Sequence, residues 1–226
     1  MKAMILAAGR GERLRPLTDT LPKPLIKAGG KSLIEYHLDK LAAAGFKDVV
    51  INTAWLAEEI HHALGDGSRY GLGIHYSDEG TALETAGGII RALPLLGDDP
   101  FLVINGDIWT DFDFALIRPL AADSLAHLVL VDNPAHHPDG DFALVDGRLQ
   151  NRGRPAFTFS GIGVYAPAFF HRASQGIKPL APMLREAADR GQITAQHYTG
   201  AWTDVGTPER LQQLEATLEK TGTADQ

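Results

Sequence analysis

Short runs of β-branched and other apolar residues alternate along this chain with stretches whose apolar positions recur every three or four residues. The runs predict strands over 3–8, 48–53, 74–77, 101–105, 127–131, 142–145, 161–165 and 194–198. Two of the intervening helices carry their own punctuation. Ser32 and Glu35 form a capping-box pattern beside the apolar face Leu33, Leu38 and Leu41, with Gly45 to close it. Thr207 and Pro208 open a last helix that carries Leu211, Leu214 and Leu218. Strands separated by helices mean an α/β domain on a largely parallel sheet. The pattern changes near Ala135, where HHPDGD and NRGRP flank FALVDGRLQ, a hairpin turning at Asp146-Gly147. We expect one domain over 1–220, an insertion or second lobe around 135–160 packed on the sheet, and a polar tail over 221–226.

Composition removes several classes of function. With no cysteine, disulfides, thiolate chemistry and Cys-ligated zinc are excluded. No stretch approaches the roughly 20 apolar residues of a membrane span, and the apolar start runs straight into GRGER without a signal peptide's cleavage site, so the expected location is the cytoplasm and no membrane partner is expected. A net charge of −7 argues against a nucleic-acid partner. Its distribution says more. The first 31 residues hold seven Lys/Arg against two acids in an otherwise acidic chain, which suggests a focused anion site. Chance clustering on a solvated loop is the plain alternative.

The first strand ends in Ala7-Ala8-Gly9-Arg10-Gly11-Glu12-Arg13-Leu14-Arg15-Pro16. Small residues there let backbone N–H groups approach a phosphate or base, and open α/β sheets bind ligands at such strand ends. It is not a Walker loop, and Leu14 breaks the dinucleotide fingerprint. The loop is followed by Pro22-Lys23-Pro24-Leu25, whose prolines restrict the backbone around Lys23. A second strand, FLVIN, runs into Gly106-Asp107; taken alone, Asp107 reads equally well as a turn or capping acid. Asp111 and Asp113 read as surface or capping acids. The nine histidines, including the adjacent pairs His61-His62 and His136-His137, read as surface residues. Trp55, Trp109 and Trp202 suit either a stacking role or the core.

From LAAGRGERLRPLTDTLPKPLIKAGGKSLIEYHLDKLAAAGFKDVVINT the chain resembles the nucleotide-sugar pyrophosphorylase family of sugar-1-phosphate nucleotidyltransferases. The resemblance implies a Rossmann-like three-layer sandwich on a mostly parallel mixed sheet. It also implies that Ala8, Gly9, Gly11 and Glu12 help enclose the nucleotide, that Arg13 binds its phosphates and that Lys23 neutralises charge at the reacting phosphates. Asp107 and the Asp204 of Trp202-Thr203-Asp204-Val205-Gly206-Thr207-Pro208 would be Mg²⁺ ligands. In Leu83-Glu84-Thr85-Ala86-Gly87-Gly88, a base-and-sugar segment, Gly87 and Gly88 would admit the base; Glu84, where many relatives have glycine, either contacts a sugar substituent or faces water. The family's Glu-Lys-Pro triplet is replaced by Gln150-Asn151-Arg152-Gly153-Arg154-Pro155. That leaves Asn151, Gly140 and Asn105 as the expected sugar contacts beside Glu84.

By the same resemblance, a nucleoside triphosphate and a sugar 1-phosphate are the substrates, UTP and N-acetylmuramate 1-phosphate being favoured, as in cell-wall recycling, in a monomer or small homo-oligomer. Guanylyl transfer to mannose 1-phosphate and thymidylyl or uridylyl transfer to glucose 1-phosphate are the alternatives. A non-catalytic nucleotide-sugar sensor is the alternative of another class, and a dinucleotide-dependent oxidoreductase a weaker one.

Overall fold

The computed structural model describes residues 1–171 and 173–222. In chain order the elements are β1 (Ala3–Leu6), β2 (Lys27–Ala28), β3 (Lys31–Ser32), α1 (Leu33–Ala43), β4 (Asp48–Thr53), α2 (Ala57–Leu64), β5 (Gly73–Asp78), α3 (Glu84–Leu96), β6 (Phe101–Asn105), β7 (Ile108–Thr110), β8 (Ala126–Val131), β9 (Phe142–Val145), β10 (Arg148–Gln150), β11 (Ala156–Tyr165), α4 (Leu180–Asp189), β12 (Ile193–Tyr198), β13 (Trp202–Asp204) and α5 (Pro208–Gly222). Nine strands form one mixed sheet in the order β5-β4-β1-β6-β11-β8-β12-β10-β9. The β5-β4-β1-β6 half is parallel throughout, β11 runs antiparallel between β6 and β8, and β12 is parallel to β8. Among the described residues, no helix is long and apolar enough to cross a membrane.

Successive side chains of a strand point to opposite faces, and the central strands are apolar on both. Met4 and Val50 pack on one side with Ile89, Ile90 and Leu96 of α3 and Leu184 of α4; Ile5, Val49 and Ile51 pack on the other with Ile34, Leu38 and Leu41 of α1. Two buried faces explain why these strands read as continuous apolar runs. A smaller cluster seats Leu214 of α5 on Ala28, Leu33 and Val205.

Local signals are used as the sequence suggests. The Glu35 carboxylate accepts from the Ser32 N–H at 3.1 Å and from Ser32 Oγ at 2.7 Å, and Gly45, at φ 84°, ends α1. The first strand stops two residues short of its expected end because the Ala7 N–H leaves the ladder for Asn52 Oδ1, 2.9 Å away. The hairpin β9–β10 is not a lobe packed on the sheet. It forms one end of the sheet, with β9 also paired to the start of β11. The short pair β7–β13 was not expected, since it joins segments about ninety residues apart. The expected tail begins inside α5, which runs to Gly222; the remainder, 223–226, lies outside the described residues.

Candidate active site

The chain leaves β1 toward β4 and later returns to its opposite side as β6. Open α/β sheets form a crevice where the strand order reverses in this way, at the carboxyl ends of the strands. The Leu6–Gly9 backbone and the Asn105–Asp107 turn lie there, packed together by the Gly106 N–H, which donates to Leu6 O at 2.9 Å. Two hollows open from this point. One, of about 510 Å³, is lined by Ala8, Gly9, Lys23, Asn52, Glu79, Glu84 and Ile177 among others. The other, of about 290 Å³, is lined by His136, His137, Asp141, Thr158, Trp202 and Asp204 among others. Asn105 and Asp107 belong to both.

At the shared wall, Lys23 is 7% exposed and its Nζ lies 2.5 Å from Asp107 Oδ2. The register of β13 on β7 pairs Asp204 with Ile108, and the Val205 N–H donates to Asp107 O at 2.8 Å, so the two acids are neighbours. Asp204 Oδ2 accepts from Arg210 Nη1. Asp204 Oδ1 is buried and takes no hydrogen bond; His136 Nε2 lies 3.2 Å from it, out of hydrogen-bond alignment. Two adjacent carboxylates, one with an orphaned oxygen, are a donor set a hard divalent cation fits. No group of three or more His, Asp or Glu is arranged for a metal among the described residues, so phosphate oxygens and water would complete the shell.

Buried groups hold this arrangement from below. His37, 1% exposed, bonds Ile108 O at 2.9 Å and fixes the start of β7, and its burial pushes its pKa down to about 4. Beside the larger hollow, Asn52 Nδ2 donates to Glu79 Oε1 at 2.6 Å while Glu79 Oε2 accepts the Leu83 N–H at 2.7 Å. With the Ala7 bond, this links the glycine loop to the start of α3. Trp55 gives its Nε1–H to Thr18 O at 3.0 Å, and the Arg10 guanidinium lies 5.1 Å above its ring.

The model of the family described as nucleotidyl transferase matches residues 2–152. The chain belongs to the nucleotidyl transferase family. It is 52% identical to an N-acetylmuramate alpha-1-phosphate uridylyltransferase of Neisseria meningitidis serogroup B, over 96% of this chain and 97% of that one. It is 34% identical to the protein of the same description from Caulobacter vibrioides, over 96% of each chain. Among solved structures, the inositol-1-phosphate CTP transferase from T. maritima superposes with a TM-score of 0.78 over 97% of this chain and 96% of that one; its 18% identity makes this a likeness of fold.

Within this nucleotidyl transferase, the expected site residues divide by position. Ala8, Gly9, Lys23, Glu84, Asn105 and Asp107 line the larger hollow, and Asp204 lines the smaller one. Gly11, at φ 64°, and Glu12 and Arg13 form the next turn; Arg13 reaches Gly206, where an added side chain would meet both Arg13 and Arg210. Gly87 and Gly88 do not stand against an open base site. A Cβ on Gly87 would strike the Gly176 carbonyl, and one on Gly88 would strike Glu79 and come within 2.8 Å of Asn52 Nδ2. Their small size admits protein groups. Glu84 is exposed at φ 64°, a conformation that favours glycine.

The sugar end differs from expectation in two places. Asn151 is turned away from both hollows, its amide donating to Arg185 O and Asp189 Oδ1 at 2.7 Å each, because β10 seats it against α4. Gly140, at φ 68°, packs on Asn133 and Phe157 beside Asp141, which lines the smaller hollow. The His136-His137 pair is exposed, as expected, and also borders that hollow. Asn52, Glu79, Arg210 and Ile177 were not foreseen at all. A polar residue late in the second strand was the one local sign of Asn52. Trp109 packs edge-on to Tyr36, whereas Trp202 lines the smaller hollow and donates to Ser160 O at 2.9 Å. Asp113 caps a short turn through the Ala115 N–H at 2.9 Å, and Asp111 accepts from the Tyr198 hydroxyl at 2.5 Å.

Proposed function

We propose that this chain transfers the uridylyl group of UTP to N-acetylmuramate 1-phosphate in the cytoplasm, releasing pyrophosphate. The observation that carries the reading is Lys23 on Asp107 at the wall shared by two hollows, one beside the glycine loop and one beside Asp204. The choice of substrates follows the Neisseria relative, which matches almost end to end.

In this reading the nucleotide lies along Ala8 and Gly9, and the sugar occupies the smaller hollow beside Asn105. A phosphate oxygen of the sugar attacks the α-phosphorus of UTP; the new P–O bond forms as the bond to the bridging oxygen breaks and pyrophosphate departs. The attacking monoester is already anionic, so positioning and charge neutralisation are the main tasks. Asp107 and Asp204 would hold Mg²⁺, which supplies Lewis-acid neutralisation of the phosphates. Lys23, on one of those acids, is thereby placed to turn to phosphate oxygens. Arg13 faces the same segment and takes the leaving pyrophosphate, an arginine being able to grip two oxygens at once.

The test is pyrophosphate release with UTP, dTTP, CTP, GTP and ATP, each crossed with muramic, glucosamine, glucose and mannose 1-phosphates. The reading expects UTP with the muramic acceptor to have the highest kcat/KM. Another best pair rejects the substrate assignment. Nucleotide binding without pyrophosphate release from any pair supports a sensor.

A further inference from the structure

The smaller hollow has more acid on its walls than a phosphate-bearing sugar needs, and two histidines that nucleotidyl transfer does not use. The turn that carries them is closed by the His137 N–H on Pro134 O at 2.8 Å and by the Gly140 N–H on His137 O at 3.3 Å. Adjacent residues of a strand point to opposite faces, but a turn is free of that rule, and both histidines border the hollow.

Most polar groups of the wall are already committed. Thr158 gives its hydroxyl hydrogen to Asn133, Ser160 to Val129 O and Trp202 to Ser160 O. Asp141 is engaged at both oxygens, by His137 Nε2 at 3.1 Å and by the Phe159 N–H at 2.8 Å. His136 Nε2 accepts from Arg210 Nη1 at 2.8 Å. A nitrogen that accepts carries no proton, so the His136 proton sits on Nδ1 and is available to donate. The donors left to the hollow are therefore Asn105, beside the reacting centre, and the His136 imidazole; His137 gives its Nε2–H to Asp141. With Asp107, Asp141 and Asp204 around it, a second anionic group on the sugar would be repelled unless such donors met it.

We propose that His136, beside His137, donates to a carboxylate carried on the sugar ring, the group that distinguishes N-acetylmuramate from the neutral N-acetylglucosamine. The assignment rests on the reading that the smaller hollow receives the acceptor sugar. His136 donates through Nδ1, with Arg210 behind it supplying positive charge. His137, which gives its Nε2–H to Asp141, closes the other side as a wall and not as a donor.

The experiment compares wild type with His136→Ala and His137→Ala, each at saturating UTP with N-acetylmuramate 1-phosphate and with N-acetylglucosamine 1-phosphate. Their side chains are 46% and 40% exposed, so neither replacement opens the core. In His136→Ala, loss of one hydrogen bond to a charged group should lower kcat/KM for the acidic sugar by about 10- to 100-fold, with a much smaller loss for the neutral one, so that the preference collapses; His137→Ala, which removes a wall and no donor, should change the preference less. Calorimetric binding of the two sugar phosphates should show the same selective loss. If either alanine variant fails to fold, His136→Gln and His137→Gln are read in the same way. In the His136 variant, equal losses on both sugars, or an unchanged preference, overturn the proposal while leaving the substrate reading intact. A wild type that does not prefer the acidic sugar overturns both.

Discussion

Replacing Gly87 by alanine sets two effects against each other. Gly87 lies in the first turn of α3, where exchanging glycine for alanine in an open helix would stabilise by about 1 kcal/mol. Here the new methyl group would strike the Gly176 carbonyl and lie 3.3 Å from Lys178 N. That loop completes the helix end: Lys178 O accepts the Ala86 and Gly87 N–H groups at 3.0 and 3.2 Å, and the Lys178 N–H donates to Leu83 O at 2.9 Å. Of these two N–H groups, that of Ala86 is among the first-turn donors with no partner within the helix. Overpacking costs about 1–3 kcal/mol and each weakened bond about 1 kcal/mol, so the net loss is about 2 kcal/mol after the helical gain. For a chain of this size the melting temperature should fall by about 4–8 °C. Ile177, in the same loop, lines the nucleotide-side hollow, so KM for UTP should rise as well. Thermal melts and steady-state kinetics measure both. A melting temperature unchanged or raised, with only KM affected, would mean that Gly87 is small for the ligand's sake and that the packing argument is wrong.

Glu84 holds a left-handed backbone in the wall of the hollow, a strain of order 1–3 kcal/mol that tends to persist at functional sites. Glu84→Gly should therefore raise the melting temperature and lower kcat/KM; equal activity would show the side chain faces water to no purpose. The pH dependence of stability should carry the mark of His37. Its folded pKa of about 4 lies below its ordinary 6.5, so its contribution is whole above pH 6.5 and drains as pH falls toward 4, where the loss is on the order of 3 kcal/mol. Melts of wild type and His37→Gln down to about pH 4.5 should converge; parallel curves would refute the assignment. Lys23→Ala should leave a folded chain with little turnover, and a rate near wild type would remove Lys23 from the reacting centre.

The parts of this molecule legible in its sequence are those with local causes. The apolar runs of β4 and β6 have the expected bounds because strands buried on both faces leave few alternatives, β9 stops where Asp146-Gly147 turns, and α1 begins just after Ser32 because its cap lies within four residues. The junction of Lys23 and Asp107 was legible through motif resemblance, though 84 residues separate them. What stayed hidden depends on long-range pairing. No local pattern marks β7 and β13, yet their register brings Asp204 to Asp107. The glycines at 87 and 88 have the identities that base binding would ask for, and only the positions of Gly176 and Glu79 show what fills the space. Asn151 stood where the motif lost its acid, but β10 packs it on α4. His136 and His137 are on the surface as expected; that their turn also borders the smaller hollow was hidden because a turn's side-chain directions are not encoded in a period.

Everything proposed for this site depends on the direction of nucleotidyl transfer by Asp107 and its neighbours. Its most direct test is pyrophosphate release from UTP and N-acetylmuramate 1-phosphate as Mg²⁺ is titrated, with Asp107→Asn measured beside wild type. Wild type should release pyrophosphate only when Mg²⁺ is present, and a folded Asp107→Asn chain should lose at least about 100-fold in rate. Release independent of Mg²⁺, or a folded variant with nearly the wild-type rate, would contradict that role.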